Sequence, residues 1–449
     1  MTSSEPPTAP TTLAQQLETA RTKRVYLFAE DERIVPLERL VAESGLEVAS
    51  SATGLPVHEA VALVDGEAGA KSLLSTARRE LAVLFVHASR NELLPLLEAG
   101  YRFGPEVQLD EGRLLRRGKA GEYRIHRYRD GDEAEILDLF RSAFHVDRSV
   151  EHWRWKYVDC PYGASRISVV RGPDDELVGQ YCAYPVPFLP RGEANARIVH
   201  QVGDTMTAPS VRAVGRGHGS LLASTAQHFY AAFCRDRVDF NFGFNTGNIR
   251  KFSTRFVGAE EIENVRFRVA QRDGVDARRR FLAPRARREQ HFDAAYDEFF
   301  HRVRSHYGAL LQRDARYLSW RYAGRPDLDY RWFALRRRRI SGWGVFCRRD
   351  ATLVWGDALF DPPAARDASA LLHAALESFE AQGPIERIVG WFPDRPGWWH
   401  RALQELGFVE ADEPQELGLI AVPFNTPRTE LVRGLKDDLY YAYGDSDLF

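Results

Sequence analysis

The stretch Arg212–Leu222 reads RAVGRGHGSLL and sets glycines at 215, 217 and 219, every second position. An alternating, β-branched run over 197–209 precedes it. The helical pattern LLASTAQHFYAAF follows. Inside an element, glycine costs about 0.5–1 kcal/mol relative to alanine, so three of them at a strand-to-helix junction need a compensating gain. A helix N-terminus presents unpaired N–H groups and partial positive charge. Glycines beside it let the backbone close on a ligand, and the chemistry that fits is capture of an anion, a phosphate above all. No Gly-Lys-Ser/Thr closes the loop, and its spacing departs from Gly-x-Gly-x-x-Gly, so the phosphate-loop and dinucleotide fingerprints are both absent. His200 and Asp204 stand just upstream on the strand, four residues apart and on one face of a regular strand.

The elements that must position these groups fall into several pieces. Residues 1–21, rich in Ser, Pro and Thr, read as a disordered leader without the pattern of a secretory signal. Over 22–121, strand and helix patterns alternate and predict a small α/β domain with a parallel sheet. Glu30, Asp31 and Asp65 near its strand ends give a faint phosphoacceptor pattern, and a structural or docking role is the preferred reading. Residues 122–276 carry the glycine stretch. A basic segment, 277–290, reads as a solvated linker without the aromatic interleaving of a base-stacking surface. A further α/β piece spans 291–426, and 427–449 form a tail.

Composition narrows the function classes. Lys+Arg 61 against Asp+Glu 63 gives net charge -2, which argues against a nucleic-acid binder driven by bulk positive charge. No apolar run reaches the roughly 18–20 residues that span a membrane. The four cysteines, Cys160, Cys182, Cys234 and Cys347, lack a CxxC pair and read as reduced core thiols of a cytoplasmic protein, with no metal site expected.

The piece after 290 repeats the one before it. WRWKYVDCPYG (153–163) resembles LSWRYAGRPDL (318–328), and GDTMTAP (203–209) resembles GDALFDP (356–362) at equal spacing. LLASTAQHF, NFGFN and RFVGAEE likewise have counterparts in LLHAALESF, IVGWF and ELGFVEA. The second repeat lacks the glycines and places Asp367 just before its helix, where a carboxylate would take or repel an anion's place. A fold that needed those glycines for itself would have kept them twice, so they are read as serving a ligand.

Arg212-Ala213-Val214-Gly215-Arg216-Gly217 fits the R/Q-x-x-G-x-G/A pattern of the GNAT superfamily of acyl-CoA N-acyltransferases, with Pro209 three residues ahead. The flanking elements follow the family order, and the chain over about 123–424 resembles a bacterial branch distantly similar to Eis-type enzymes. The fold class expected is α/β: beside the small N-terminal α/β domain read from alternation, the resemblance implies two tandem GNAT-type mixed-sheet domains, the first binding acyl-CoA and the second degenerate. It implies that amides of Arg212, Ala213, Val214, Gly215, Arg216 and Gly217, and of His218, Gly219 and Ser220, cradle the CoA pyrophosphate. Thr205, Met206 and Thr207 would hold the pantetheine arm. Asn248 matches a pantetheine-contacting asparagine or, alternatively, caps a helix.

By the same resemblance Asp204 is a base acting through water, although Asp357 holds its place in the repeat without glycines and a structural role stays open. The customary tyrosine acid, four residues before Gly258, is replaced by Thr254; His200, Tyr181 and Tyr184 are the substitutes. Eis-type enzymes use their C-terminal carboxylate in catalysis. That implies that the aromatic tail YYAYGDSDLF brings Asp445, Asp447 or the Phe449 carboxylate to the amine, or else only seals an apolar groove. The activity implied is N-acetyl transfer from acetyl-CoA to a small amine such as an amino sugar, an aminoglycoside or a biosynthetic intermediate. The alternatives are a Fem-type aminoacyltransferase and a non-catalytic acyl-CoA sensor or scaffold.

Overall fold

The computed structural model describes residues 24–28, 38–39, 41–42, 47–48, 60–64, 66–75, 82–85, 90–99, 102–103, 114–116 and 122–449, except 165, 216, 276–285, 337 and 425. The leader, Glu30, Asp31, Asp65 and most of the basic segment therefore lie outside the described residues. In chain order the first elements are β1 (Arg24–Phe28), β2 (Glu47–Val48), β3 (Ala60–Val64), α1 (Gly66–Ser75), β4 (Ala82–Phe85), α2 (Arg90–Glu98), β5 (Arg102–Phe103) and β6 (Leu114–Arg116). Next come β7 (Arg124–Arg127), α3 (Glu133–Phe144), α4 (Val150–Tyr157), β8 (Arg166–Arg171), β9 (Leu177–Leu189), β10 (Arg197–Thr207), α5 (Leu221–Phe229), β11 (Phe240–Asn245), α6 (Gly247–Phe256), β12 (Glu260–Asn264) and β13 (Phe267–Gln271). The chain closes with β14 (Arg287–Arg288), α7 (Ala294–Val303), β15 (Leu310–Leu311), α8 (Ala315–Leu318), β16 (Arg331–Arg336), β17 (Ile340–Arg349), β18 (Thr352–Phe360), α9 (Ala365–Glu380), β19 (Arg387–Trp391), α10 (Gly397–Glu405), β20 (Val409–Ala411), β21 (Gly418–Pro423) and α11 (Thr426–Asp438). These elements form two compact units: residues 1–147, 167–182 and 204–235, and residues 148–166, 183–203 and 236–449.

In the first unit, β1–β6 form a sheet of order β2-β1-β3-β4-β6-β5. Pairs β1/β2, β1/β3 and β3/β4 are parallel, whereas β4/β6 and β5/β6 are antiparallel. The all-parallel expectation thus fails at one edge. Only residues 104–113 separate β5 from β6, too few for the crossover a parallel pair requires. Helix α3 buries Ile136, Leu139 and Phe140. Its N-terminus is tied to β8 by Arg171, which donates to Asp132 at 2.6 Å and Glu135 at 2.9 Å. Ile125, Val170, Val178, Val211 and Leu221 form the core that holds the glycine loop against the strands.

In the second unit two strands pair with partners distant in sequence. β21 lies antiparallel to both β11 and β12, and β13 lies antiparallel to both β19 and β20. The sequence boundary near 276 therefore does not coincide with a sheet boundary, and Arg287–Arg288, placed in the linker by composition, pair with β16. Matching motifs of the two repeats meet directly. Trp155 and Trp320 stack at 5.4 Å, and each indole N–H donates to the other's carbonyl, at 2.7 and 3.0 Å. Asp367, expected just ahead of a helix, is the third residue of α9 and accepts from Ser341 Oγ at 2.7 Å.

The tail is part of this core. Tyr440 donates to the Ala358 carbonyl at 2.7 Å, Tyr443 stacks on Trp391 at 4.0 Å, and Phe449 is fully buried. A Cβ on Gly356 would overlap the Phe449 ring, so this glycine is required for close approach. Gly356→Ala is expected to cost about 1–3 kcal/mol in urea unfolding. That penalty should largely vanish when Phe449→Ala is also present; additive effects of the two changes would show that the ring does not dock there.

Candidate functional site

The glycine loop takes its shape from local chemistry. Ser220 caps α5, its Oγ accepting from Ala223 N–H at 3.3 Å. Leu221 N–H closes the loop on the Val214 carbonyl at 3.1 Å. Gly215 and Gly217 have φ of 73° and 56°, in the left-handed region. At Gly215 a Cβ would also overlap the Gly219 carbonyl and come within 2.9 Å of Ser220 Cα, so closure of the loop itself demands this glycine, whatever it binds. That corrects the inference that only a ligand explains the glycines. The expected cradle also narrows: Val214 and Ser220 already donate their N–H groups to the Val211 and Gly217 carbonyls, at 3.0 and 3.1 Å. Arg212 and Ala213 are exposed and Gly219 is half-buried; Arg216 lies outside the described residues, as does the side chain of His218.

Upstream, Met206 is buried, while Thr205 and Thr207 are half-buried. Thr205 Oγ1 is buried with no hydrogen-bond partner among the described residues. Asp204 has φ of 49°, and its carbonyl accepts from Gln180 Nε2 at 3.0 Å. This left-handed residue interrupts the pleat, so the alternation that put His200 and Asp204 on one face does not carry through. His200 is 2% exposed, and burial, with Arg166 adding to it, pushes its imidazole down to about 3. It is neutral near pH 7 and holds no acidic proton of the imidazolium kind.

The other acid candidates fare similarly. Tyr181 is buried, shares a 3.1 Å hydrogen bond with Tyr230, and burial holds its phenol well above the usual range. Tyr184 is buried against Tyr157 and Trp320. Thr254 Oγ1 donates back to its own helix, to the Arg250 and Lys251 carbonyls. Asn248 is exposed and is the second residue of α6; Thr246 holds the capping position, which removes the capping alternative for Asn248.

Two basic residues that sequence reasoning passed over organise the tail. Lys156 and Arg321 occupy equivalent positions in the two repeats, each following the stacked tryptophan, and are 2% and 1% exposed. Arg321 donates to the Gly444, Ser446 and Phe449 carbonyl oxygens at 3.1, 2.7 and 2.9 Å, and Arg325 also donates to the Phe449 oxygen. The Phe449 main-chain oxygen is thus held by two guanidiniums. Asp447 instead meets Lys156 Nζ at 3.3 Å, and a Cβ on Gly203 would overlap its carboxylate. Gly203 and Gly356, equivalent in the repeats, therefore both face tail side chains. Asp445 pairs with Arg313 at 2.6 Å, and Arg313 also holds Asp357 at 2.9 Å. Asp357 further accepts from Tyr322 Oη at 2.7 Å and is fully buried, a structural carboxylate. Among the described residues, no group of three or more His, Cys, Asp or Glu is placed to hold a metal, no helix is long and apolar enough to cross a membrane, and the four cysteines are free and buried.

Residues 124–252 match the family model described as an acetyltransferase (GNAT) domain. No curated protein matches the chain. Among solved structures, a GCN5-related N-acetyltransferase from Anabaena variabilis ATCC 29413 is similar at 12% identity and a TM-score of 0.52, over 69% of this chain and 75% of that one. A GCN5-related N-acetyltransferase from Kribbella flavida gives 15%, 0.51, 69% and 73%. A conserved protein of unknown function from Enterococcus faecalis V583, described as a probable N-acyltransferase, gives 12%, 0.51, 67% and 72%. At these identities the likeness establishes the shared α/β fold, and residues 124–252 are similar to a GNAT acetyltransferase domain.

The buried neutral His200 makes a pH prediction. Its folded value of about 3 lies below the ordinary 6.5, so protonation favours the unfolded chain. Its stabilising share is intact above about pH 6.5 and declines as pH falls from there toward 3, by up to about 1.4 kcal/mol per unit. His200→Gln should therefore flatten the acid limb of unfolding free energy against pH; parallel limbs for the two proteins would refute the assignment.

Proposed function

We propose that the protein is a CoA-dependent N-acetyltransferase that moves an acetyl group from acetyl-CoA to a small amine, built as two tandem GNAT-type folds. The family match over 124–252 supports the transferase class. The observation that carries the cofactor reading is the junction itself: left-handed Gly215 and Gly217 lead into a helix whose first turn is capped by Ser220. Such a junction offers backbone N–H groups and the positive end of the helix to a diphosphate. The N–H groups of Arg212, Ala213, Gly215, Gly217, His218 and Gly219 are the donors assigned to it. The unpartnered Thr205 hydroxyl suits an amide of the pantetheine arm, beside Met206 and Thr207 on the same strand.

In the reaction a neutral amine attacks the thioester carbonyl, the tetrahedral adduct expels the thiolate, and one proton passes from nitrogen to a base while sulfur takes one up. Asp204 stands as the strand base acting through water. Of the tail carboxylates, Asp447 is preferred to Phe449 and Asp445, because the latter two are engaged by guanidiniums whereas Asp447 lies on Gly203 with an ammonium partner. The absence of a tyrosine at 254 favours one alternative, an acyl-CoA sensor without turnover.

Calorimetry and a thiol-release assay separate these readings. Asparagine tolerates left-handed φ, so Gly217→Asn adds a side chain at the second left-handed glycine of the loop and tests the cradle there. The expected result is at least tenfold weaker CoA binding at an unchanged melting temperature. CoA binding that ignores the substitution would remove the cradle. Free thiol produced with an amine panel supports the enzyme, and CoA binding without thiol supports the sensor.

A further inference from the structure

Two arginine runs stand out in a chain whose net charge is -2: six of the fourteen residues 277–290 are arginine, and 336–339 is arginine throughout. The fold brings the described parts of both runs to one corner. β14 (Arg287–Arg288) pairs with β16, Arg287 opposite Ala334 and Arg288 opposite Phe333. β16 ends at Arg336, and Arg338 and Arg339 lead into β17. At most roughly 15 Å of extended chain separates Ala334 from Arg338. β14 is a terminal strand of its sheet, and both of its residues are exposed. Successive strand residues point to opposite faces, so the pair charges both faces of the rim.

The protein does not consume these charges itself. The nearby acids Glu289 and Asp293 are taken by Arg336, at 3.4 and 3.2 Å. Arg287, Arg288, Arg338 and Arg339 are exposed and have no ion-pair partner among the described residues. Like charges gathered this way attract a polyanion, whatever the balance of the whole chain. Charge density selects among the candidates. An extended acidic peptide presents at best about one charge per 3.3 Å. Duplex nucleic acid presents about one per 1.7 Å, with condensed counterions to release. A bilayer is gripped by charge together with inserted apolar side chains. Among the described residues, no exposed large apolar side chain lies on either run. The described residues of both runs also lack an aromatic ring on which unpaired bases could stack, which favours a duplex over a single strand.

We propose that the corner formed by Arg287, Arg288, Arg338 and Arg339 binds the phosphate backbone of duplex nucleic acid without reading its sequence. Guanidiniums donate to phosphate oxygens and displace the counterions held there. The surface goes beyond the acetyl-transfer reading and needs no CoA.

Fluorescence anisotropy of a labelled DNA duplex of mixed sequence, titrated with the full chain, is the measurement. Binding is expected, and raising NaCl from about 50 to about 200 mM should weaken it roughly a hundredfold if four phosphates are neutralised. A duplex of shuffled sequence should bind equally well. Replacing the four arginines together by alanine should lower affinity at least tenfold and flatten the salt slope by about one per residue removed. Arg338→Ala with Arg339→Ala, which leaves β14 untouched, should give about half that change in slope and serves if the fourfold variant fails to fold. Melting temperatures identify the folded variants. No duplex binding, binding indifferent to salt, or undiminished affinity in a folded variant would each overturn the proposal. So would tighter binding of polyglutamate, of phosphatidylglycerol vesicles or of the single strand. CoA calorimetry on the same variants should match the parent protein, so this result and the acetyltransferase reading stand or fall separately.

Discussion

The reciprocal hydrogen bonds between Trp155 and Trp320 are the constraint on which the second unit depends. Each indole N–H is satisfied by the other's main chain, so neither ring can be buried alone without leaving a polar group unpaired. The residue after each tryptophan, Lys156 or Arg321, is then carried into the interior as a charge. A buried cation needs polar partners, and the tail supplies them: the Asp447 carboxylate for Lys156 and the Gly444, Ser446 and Phe449 main-chain oxygens for Arg321. The glycines at 203 and 356 follow from this, since each clears the backbone for the tail side chain that arrives. One indole exchange thus fixes two buried cations, two glycines and the path of the last ten residues.

Strand exchange strengthens the same arrangement. With β21 between β11 and β12, and β13 between β19 and β20, each repeat's sheet is closed by the other's final strand. Neither repeat can unfold without stripping a central pairing from its neighbour. Contacts of this kind join residues more than 100 positions apart within the second unit, such as Phe240 and Pro423.

These features were unequally legible in the sequence. The loop was readable because its signals are local: alternating glycines, a Ser cap, then helical periodicity. The likeness of WRWKY to LSWRY is visible in the sequence, and those same letters held the missed signal, a basic residue that follows tryptophan in both segments. The exchanged strands were not readable, because a short β run carries no mark of which distant edge it joins. Nor was the break at Asp204, since Asp at positive φ is uncommon and nothing local announces it. That single residue is why counting along the strand from His200 misleads. The glycine argument was half right: the left-handed backbone at 215 and 217 is there, but at 215 the loop itself also requires it.

The difference between the repeats now has a physical form. In the second, Asp367 sits in the first turn of α9, bonded to Ser341, and an acid in that turn already complements the helix dipole. Its strand carboxylate, Asp357, is saturated by Arg313, Tyr322 and its own chain, and Phe449 fills the space over Gly356. Every feature that could receive a ligand there is occupied by the protein. In the first repeat the first turn of α5 carries no acid, the loop ahead of it is left-handed at two glycines, and a threonine hydroxyl on the strand is buried without a protein partner. The segment around Asp357 and Asp367 is thus saturated by its own chain, whereas the segment around Thr205 and Ser220 keeps polar groups without partners among the described residues.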